Sequence, residues 1–199
     1  MITNSRNLFF VRKVQVSFYF KKNMVIQSLF FLEYMLFKEY TVKNESFLAN
    51  IKLKWLIDQV SKTDEMDKSL YNLKPLTDNK KTKKYLLNLL NDFSKIMNFS
   101  EKKDFLENFK KFNYNFNKII NLLNKNIRTS FKFQILYFFY INKFYEIKNY
   151  KEFISKPEKK IDTTESVFIE IFLKKCSLNI TKISKVHYLF SLIKGLIKK

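Results

Sequence analysis

The carboxylates of Asp64, Glu65 and Asp67 fall close together in the run DEMD. Such a cluster is the sequence pattern of a magnesium site, because a hard cation takes several carboxylate oxygens and keeps part of its water. A working site needs its acids aimed into one cavity from a rigid element. These acids follow the end of an expected helix and sit beside Lys62 and Lys68, so a solvated loop is the preferred reading and a metal site the alternative. Other chemistry has less to stand on. His187 is the single histidine, with no carboxylate three or four residues away on its helix, so neither a Ser–His–acid grouping nor a multi-histidine metal site can be built around it. Cys176 is the single cysteine, which excludes an internal disulfide and a cysteine cage for zinc. Gly195 is the single glycine, so no glycine-rich phosphate loop is available. No cofactor is expected, with Mg²⁺ entering only under the alternative reading of the acids.

The elements that must position these residues are helical. One glycine and two prolines, Pro75 and Pro157, leave little turn chemistry for hairpins. Apolar residues recur at helical spacing from Met24 to about Tyr40, over 47–60, from Tyr85 to Met97, and through 105–150, with a break near Asn124–Thr129. Thr163 or Thr164 can cap a further helix, and a last one spans Ile180 to Ile197. Ser100, followed by acids at 101 and 104, has the pattern of a helix start. Loops are expected at Thr41–Glu45, Ser61–Thr82 and Lys148–Lys160. The N-terminal Arg6, Arg12 and Lys13 are read as a first structured helix or arm in preference to an organellar presequence. In KKDFLENFKKFNYNF, Phe105, Phe109, Phe112 and Phe116 share one face and the lysines the other, which predicts a core stripe with a wet back. The expectation is an all-α single domain over 1–199 with six to eight helices.

The net charge is +20, from 38 basic and 18 acidic residues. Alone it points to nucleic acid or anionic lipid. The basic residues are nearly all lysine and accompany abundant Asn, Ile and Phe, the composition of AT-rich coding, so nucleic acid is not the expected partner. The longest apolar run, Ile135–Ile141, is far short of the roughly 20 residues a transmembrane helix needs. A location in the cytoplasm or peripheral to an inner membrane is expected.

Taken together, the aromatic helix LFFLEYMLFKEY, the polar turn TVKNES and the helix FLANIKLKWLIDQV resemble the early region of the squalene/phytoene synthase superfamily. The likeness is to the non-catalytic branch that includes a mitochondrial complex I assembly factor. Ile51, Lys52, Leu53, Lys54, Trp55 and Asp58 carry it, and TTESVFIEIFLKKC (163–176) and VHYLFSLIKGL (186–196) follow in the family's order. The resemblance implies a helical array of the isoprenoid-synthase type. Its enzymes condense two prenyl diphosphates between two aspartate-rich motifs that hold Mg²⁺. The first motif would fall on Glu33–Tyr40, where Glu33, Phe37 and Glu39 stand, and Gly195 takes the place of the second motif's first aspartate. What the resemblance implies is therefore the scaffold without the chemistry: a pseudoenzyme of assembly-factor type, its partner a membrane-associated protein complex or an anionic membrane surface. The alternative is a divergent Mg²⁺-dependent prenyl transferase using Asp64, Glu65 and Asp67 with Glu33 or Glu39, and a nucleic-acid-binding protein is a further one. Leu53 and Trp55 are expected in the core, and the bulk of Leu189, Phe190 and Leu192 implies a filled or narrowed cavity.

Overall fold

The computed structural model describes residues 8–39, 46–62, 66–123, 127–142, 162–177 and 183–197. The protein is all-helical there, with no strand. Nine α-helices occur among the described residues: α1 (Phe10–Tyr19), α2 (Met24–Glu39), α3 (Ser46–Ser61), α4 (Lys74–Thr77), α5 (Lys80–Met97), α6 (Lys102–Leu123), α7 (Phe131–Asn142), α8 (Thr163–Ser177) and α9 (Lys185–Ile197). None of the described helices is long and apolar enough to cross a membrane. By its contacts the chain divides into two compact units, Met1–Ile127 and Arg128–Lys199. The turn at Thr41–Glu45 and the segment Lys148–Lys160 lie outside the described residues.

In the first unit α5 and α6 form a hairpin, because only four residues, Asn98–Glu101, connect two helices whose apolar faces match. Asn79 starts α5 by accepting from the N–H groups of Lys81 and Thr82 at 2.8 and 3.3 Å. Leu86, Leu89, Leu90, Phe93 and Ile96 of α5 and the expected stripe Phe105, Phe109, Phe112 and Phe116 of α6 are all buried. Phe37 of α2 inserts between them, its ring centroid 6.1 Å from Phe93 and 5.7 Å from Phe112. Aromatic pairs at these separations add to the area they bury. Helix α6 begins at Lys102 with Asp104 in its first turn, and the Ser100 hydroxyl donates to the Asp104 carboxylate at 3.2 Å.

The stretch Ser61–Thr82, expected as a loop, is partly helical. Asp67 opens a 3₁₀ helix over Lys68–Leu73, and Pro75 sits in the first turn of α4, where its missing N–H costs nothing. Leu70, Leu73 and Leu76 are buried at three-residue spacing, the period that lines up side chains on a 3₁₀ turn. That apolar triplet overrides the polar composition around it, and α4 is the helix that takes the number past eight.

The second unit is built on α8, which packs against both α7 and α9. Asp162 caps α8, taking the role expected of Thr163 or Thr164: its Oδ1 accepts from the Thr164 N–H at 2.8 Å and from the Thr164 hydroxyl. Phe168 meets Phe133 edge-on at 5.4 Å. The Tyr188 hydroxyl of α9 donates to the Thr164 carbonyl at 3.0 Å. Buried Glu165 accepts from the Ser130 N–H at 2.8 Å, and the Ser130 hydroxyl accepts from the Phe133 N–H at 3.0 Å, so one carboxylate and one cap organise the start of α7.

Candidate functional site

Glu33, a candidate metal ligand by position, lies in the core of the first unit. Arg12 of α1 grips it with both edges of its guanidinium, Nε to Oε2 at 2.6 Å and Nη2 to Oε1 at 2.8 Å, and both side chains are fully buried. Arg12 Nη1 also donates to Gln15 Oε1 at 2.7 Å, and its guanidinium carbon lies 4.3 Å from the Phe30 ring centroid and 5.5 Å from that of Phe116. Both Glu33 oxygens are therefore committed to a planar fork that matches them, the geometry in which arginine is not replaceable by lysine. A cation drawing on Glu33 would have to separate a desolvated ion pair, which is costly in the core. Glu33 is thus held by Arg12 within the core of the first unit. The readable signal for this pair was the arginine itself: only Arg6, Arg12 and Arg128 interrupt a basic set made of lysine.

Of the other candidate acids, Asp64 and Glu65 lie outside the described residues, and so does the side chain of Glu39, whose backbone ends α2. Asp67 is at the surface. Its Oδ1 accepts from the Ser69 hydroxyl at 2.6 Å and the Ser69 N–H at 2.8 Å, which hold the carboxyl below the usual carboxylate range. This is a cap for the 3₁₀ helix. Among the described residues, Asp67 lines an open basin of about 890 Å³ together with Lys62, Lys68, Lys74, Lys83 and Asp78. Glu33 and Asp67 are not brought together, one buried with Arg12 and the other solvated. Among the described residues no group of three or more His, Cys, Asp or Glu side chains is placed to hold a metal ion.

Helix α3 carries two apolar faces. Ala49, Leu53, Leu56 and Val60 are buried, and α3 packs on α5, helped by a reciprocal amide pair between Asn50 and Asn98 at 2.9 and 3.0 Å. On the far side Phe47, Leu48, Ile51 and Trp55 are exposed at near four-residue spacing, with Lys52, Lys54 and Asp58 around them in solvent. Leu53 is in the core as expected, but Trp55 is not: 39% of it is open to solvent. With apolar residues on both sides of α3, periodicity cannot select the buried side, and the packing partner α5 decides it.

No family model, curated protein or solved structure matches the chain.

Asp92 of α5 is buried beside a groove of about 770 Å³ between α5 and α6, and Asn115 Nδ2 donates to its Oδ2 at 2.7 Å. Burial raises its carboxyl above the usual range, partly offset by the Asn115 hydrogen bond and by Lys95 and Lys111. No sequence motif flagged it, since its partner is 23 residues away. Gly195 is a half-buried helical residue facing α8, and His187 is exposed.

Proposed function

We propose that the protein is a non-catalytic helical scaffold of the squalene/phytoene synthase-like kind, an assembly-type factor that binds a membrane-associated protein complex through α3. The observation that carries this reading is the exposed stripe of Phe47, Leu48, Ile51 and Trp55 on a helix whose opposite face is already packed. Tryptophan and other aromatics dominate the binding energy of protein interfaces when desolvated, and here the only tryptophan of the chain stands outside the core. The resemblance of residues 46–60 to the synthase superfamily supports the scaffold. Commitment of Glu33 to Arg12 supports loss of the metal chemistry, because Glu33 stands where the first acidic motif would fall.

Incubation with prenyl diphosphates and Mg²⁺ is expected to release no pyrophosphate above the protein-free rate. Sustained release would overturn the non-catalytic reading in favour of the prenyl transferase. For the docking face, Phe47→Ser with Trp55→Ser is expected to leave the circular dichroism unchanged and to move the protein from a high-mass assembly to free chain in extracts of its own cells. An unchanged elution position would remove α3 as the docking element.

A further inference from the structure

Helix α9 presents a second unpartnered face. Tyr188 and Leu192 are buried, and the Tyr188 hydroxyl reaches the Thr164 carbonyl of α8. Val186, Leu189, Phe190, Ile193, Leu196 and Ile197 point the other way, each between 44% and 78% exposed. At about 100° per residue these six occupy one continuous arc of roughly 120° with no polar side chain inside it. The charged side chains of α9 itself are all basic. Lys185 and Lys194 are exposed on α9 itself, and from Ile171 to Lys199 the sequence has seven lysines and no acid.

The occupant must accept apolar side chains and neutralise lysines at the same time. A second copy would set two such lysine rims against each other, a like-charge arrangement that opposes pairing. An anionic bilayer meets both demands: acyl chains take the stripe and lipid phosphates take the lysines. At 13 residues α9 is too short to cross a hydrocarbon core, which needs roughly 20 residues, and long enough to lie in its surface. We propose that α9 is an in-plane anchor for anionic membranes, with Phe190 and Ile193 in the acyl boundary and Lys185 and Lys194 at the phosphates. The inference goes beyond the scaffold reading and stands without it, since α3 has no part in it.

The test uses the full chain and two sets of vesicles, phosphatidylcholine alone and phosphatidylcholine with about one-third phosphatidylglycerol. Sedimentation is expected to give at least about tenfold stronger partition into the anionic set. Phe190→Asp with Ile193→Asp, both at exposed positions, should lower that partition at least about tenfold with unchanged circular dichroism. In a Trp55→Phe background, the single indole introduced by Phe190→Trp should shift its emission to the blue on anionic vesicles only. Equal partition into neutral vesicles, full binding by the double variant, or an unshifted emission from the Phe190→Trp variant would each overturn the anchor. So would a dimer in solution that the double variant abolishes, because the stripe would then belong to a second copy.

Discussion

Arg12 and Glu33 illustrate how a residue's role is set by what folds against it. Alone, Glu33 is an acid on an apolar helix at a position where a metal ligand could stand; with Arg12 bound to both oxygens it is half of a buried ion pair. The two are 21 residues apart on different helices, so no local pattern joins them. Removing one partner leaves an unpaired charge in the core, and Glu33→Leu is expected to cost about 3–5 kcal/mol in urea unfolding. Arg12→Met combined with Glu33→Leu should recover most of that loss, since an apolar pair of similar volume needs no neutralisation. If the double variant is as unstable as the single one, packing around the site is what was lost. Asp92 gives the corresponding pH prediction. Its folded pKa is raised, so its stabilising contribution is full below the ordinary carboxylate pKa and is lost as pH rises through the raised value. Asn at position 92 still accepts from Asn115 and carries no charge to desolvate. The stability of Asp92→Asn relative to wild type should therefore be near zero at about pH 3 and positive at about pH 7, read from denaturant midpoints. A difference independent of pH would place the effect outside the titration.

At the scale of elements, the sequence was legible where one apolar stripe met one polar back. Helices α5 and α6 follow that pattern, and Phe105, Phe109, Phe112 and Phe116 are buried as their spacing predicts. Legibility failed in α3, which is apolar on two sides, and in Ser61–Thr82, where Leu70, Leu73 and Leu76 are too few to stand out against lysines and aspartates. Of the candidate site residues, Trp55 lies in the first of those segments and Asp67 in the second. Gly195 shows a milder version of the same limit: the sequence offered it as the stand-in for a lost aspartate, while its surroundings make it an ordinary helical position. A Cβ built there would stand 3.6 Å from Val167 Cγ2 and 3.8 Å from Thr163 Cγ2, normal contact distances. Gly195→Ala should therefore stabilise the protein by about 0.5–1 kcal/mol, by removing unfolded-state freedom. A thermal melt checks it, and a lowered midpoint would mean that α8 cannot accommodate even a methyl group.

For the whole molecule the boundary between the two compact units, after Ile127, falls inside the Asn124–Thr129 break read from the sequence as a gap between helices. Nothing in that break distinguishes a boundary from a turn, since it holds neither proline nor glycine. Charge acts on both units alike. With 38 basic and 18 acidic residues, 20 cations have no acid to balance them even if every acid is paired. Lysines 80, 81 and 84 on α5 and 102, 103, 110 and 111 on α6 are all exposed on one hairpin. Burying Phe and Leu on the inner side of those helices forces the lysines to share the outer one, so the compact state carries a self-repulsion that the unfolded chain relieves by expanding. Salt should weaken this before it weakens apolar packing, because the Debye length is already about 10 Å at 0.1 M. Raising NaCl from about 0.02 to about 0.2 M is thus expected to raise the melting midpoint by a few degrees. A midpoint that falls would mean that attractive pairs such as Lys111 with Glu107, at 2.9 Å on the surface of α6, outweigh the repulsion among the remaining cations.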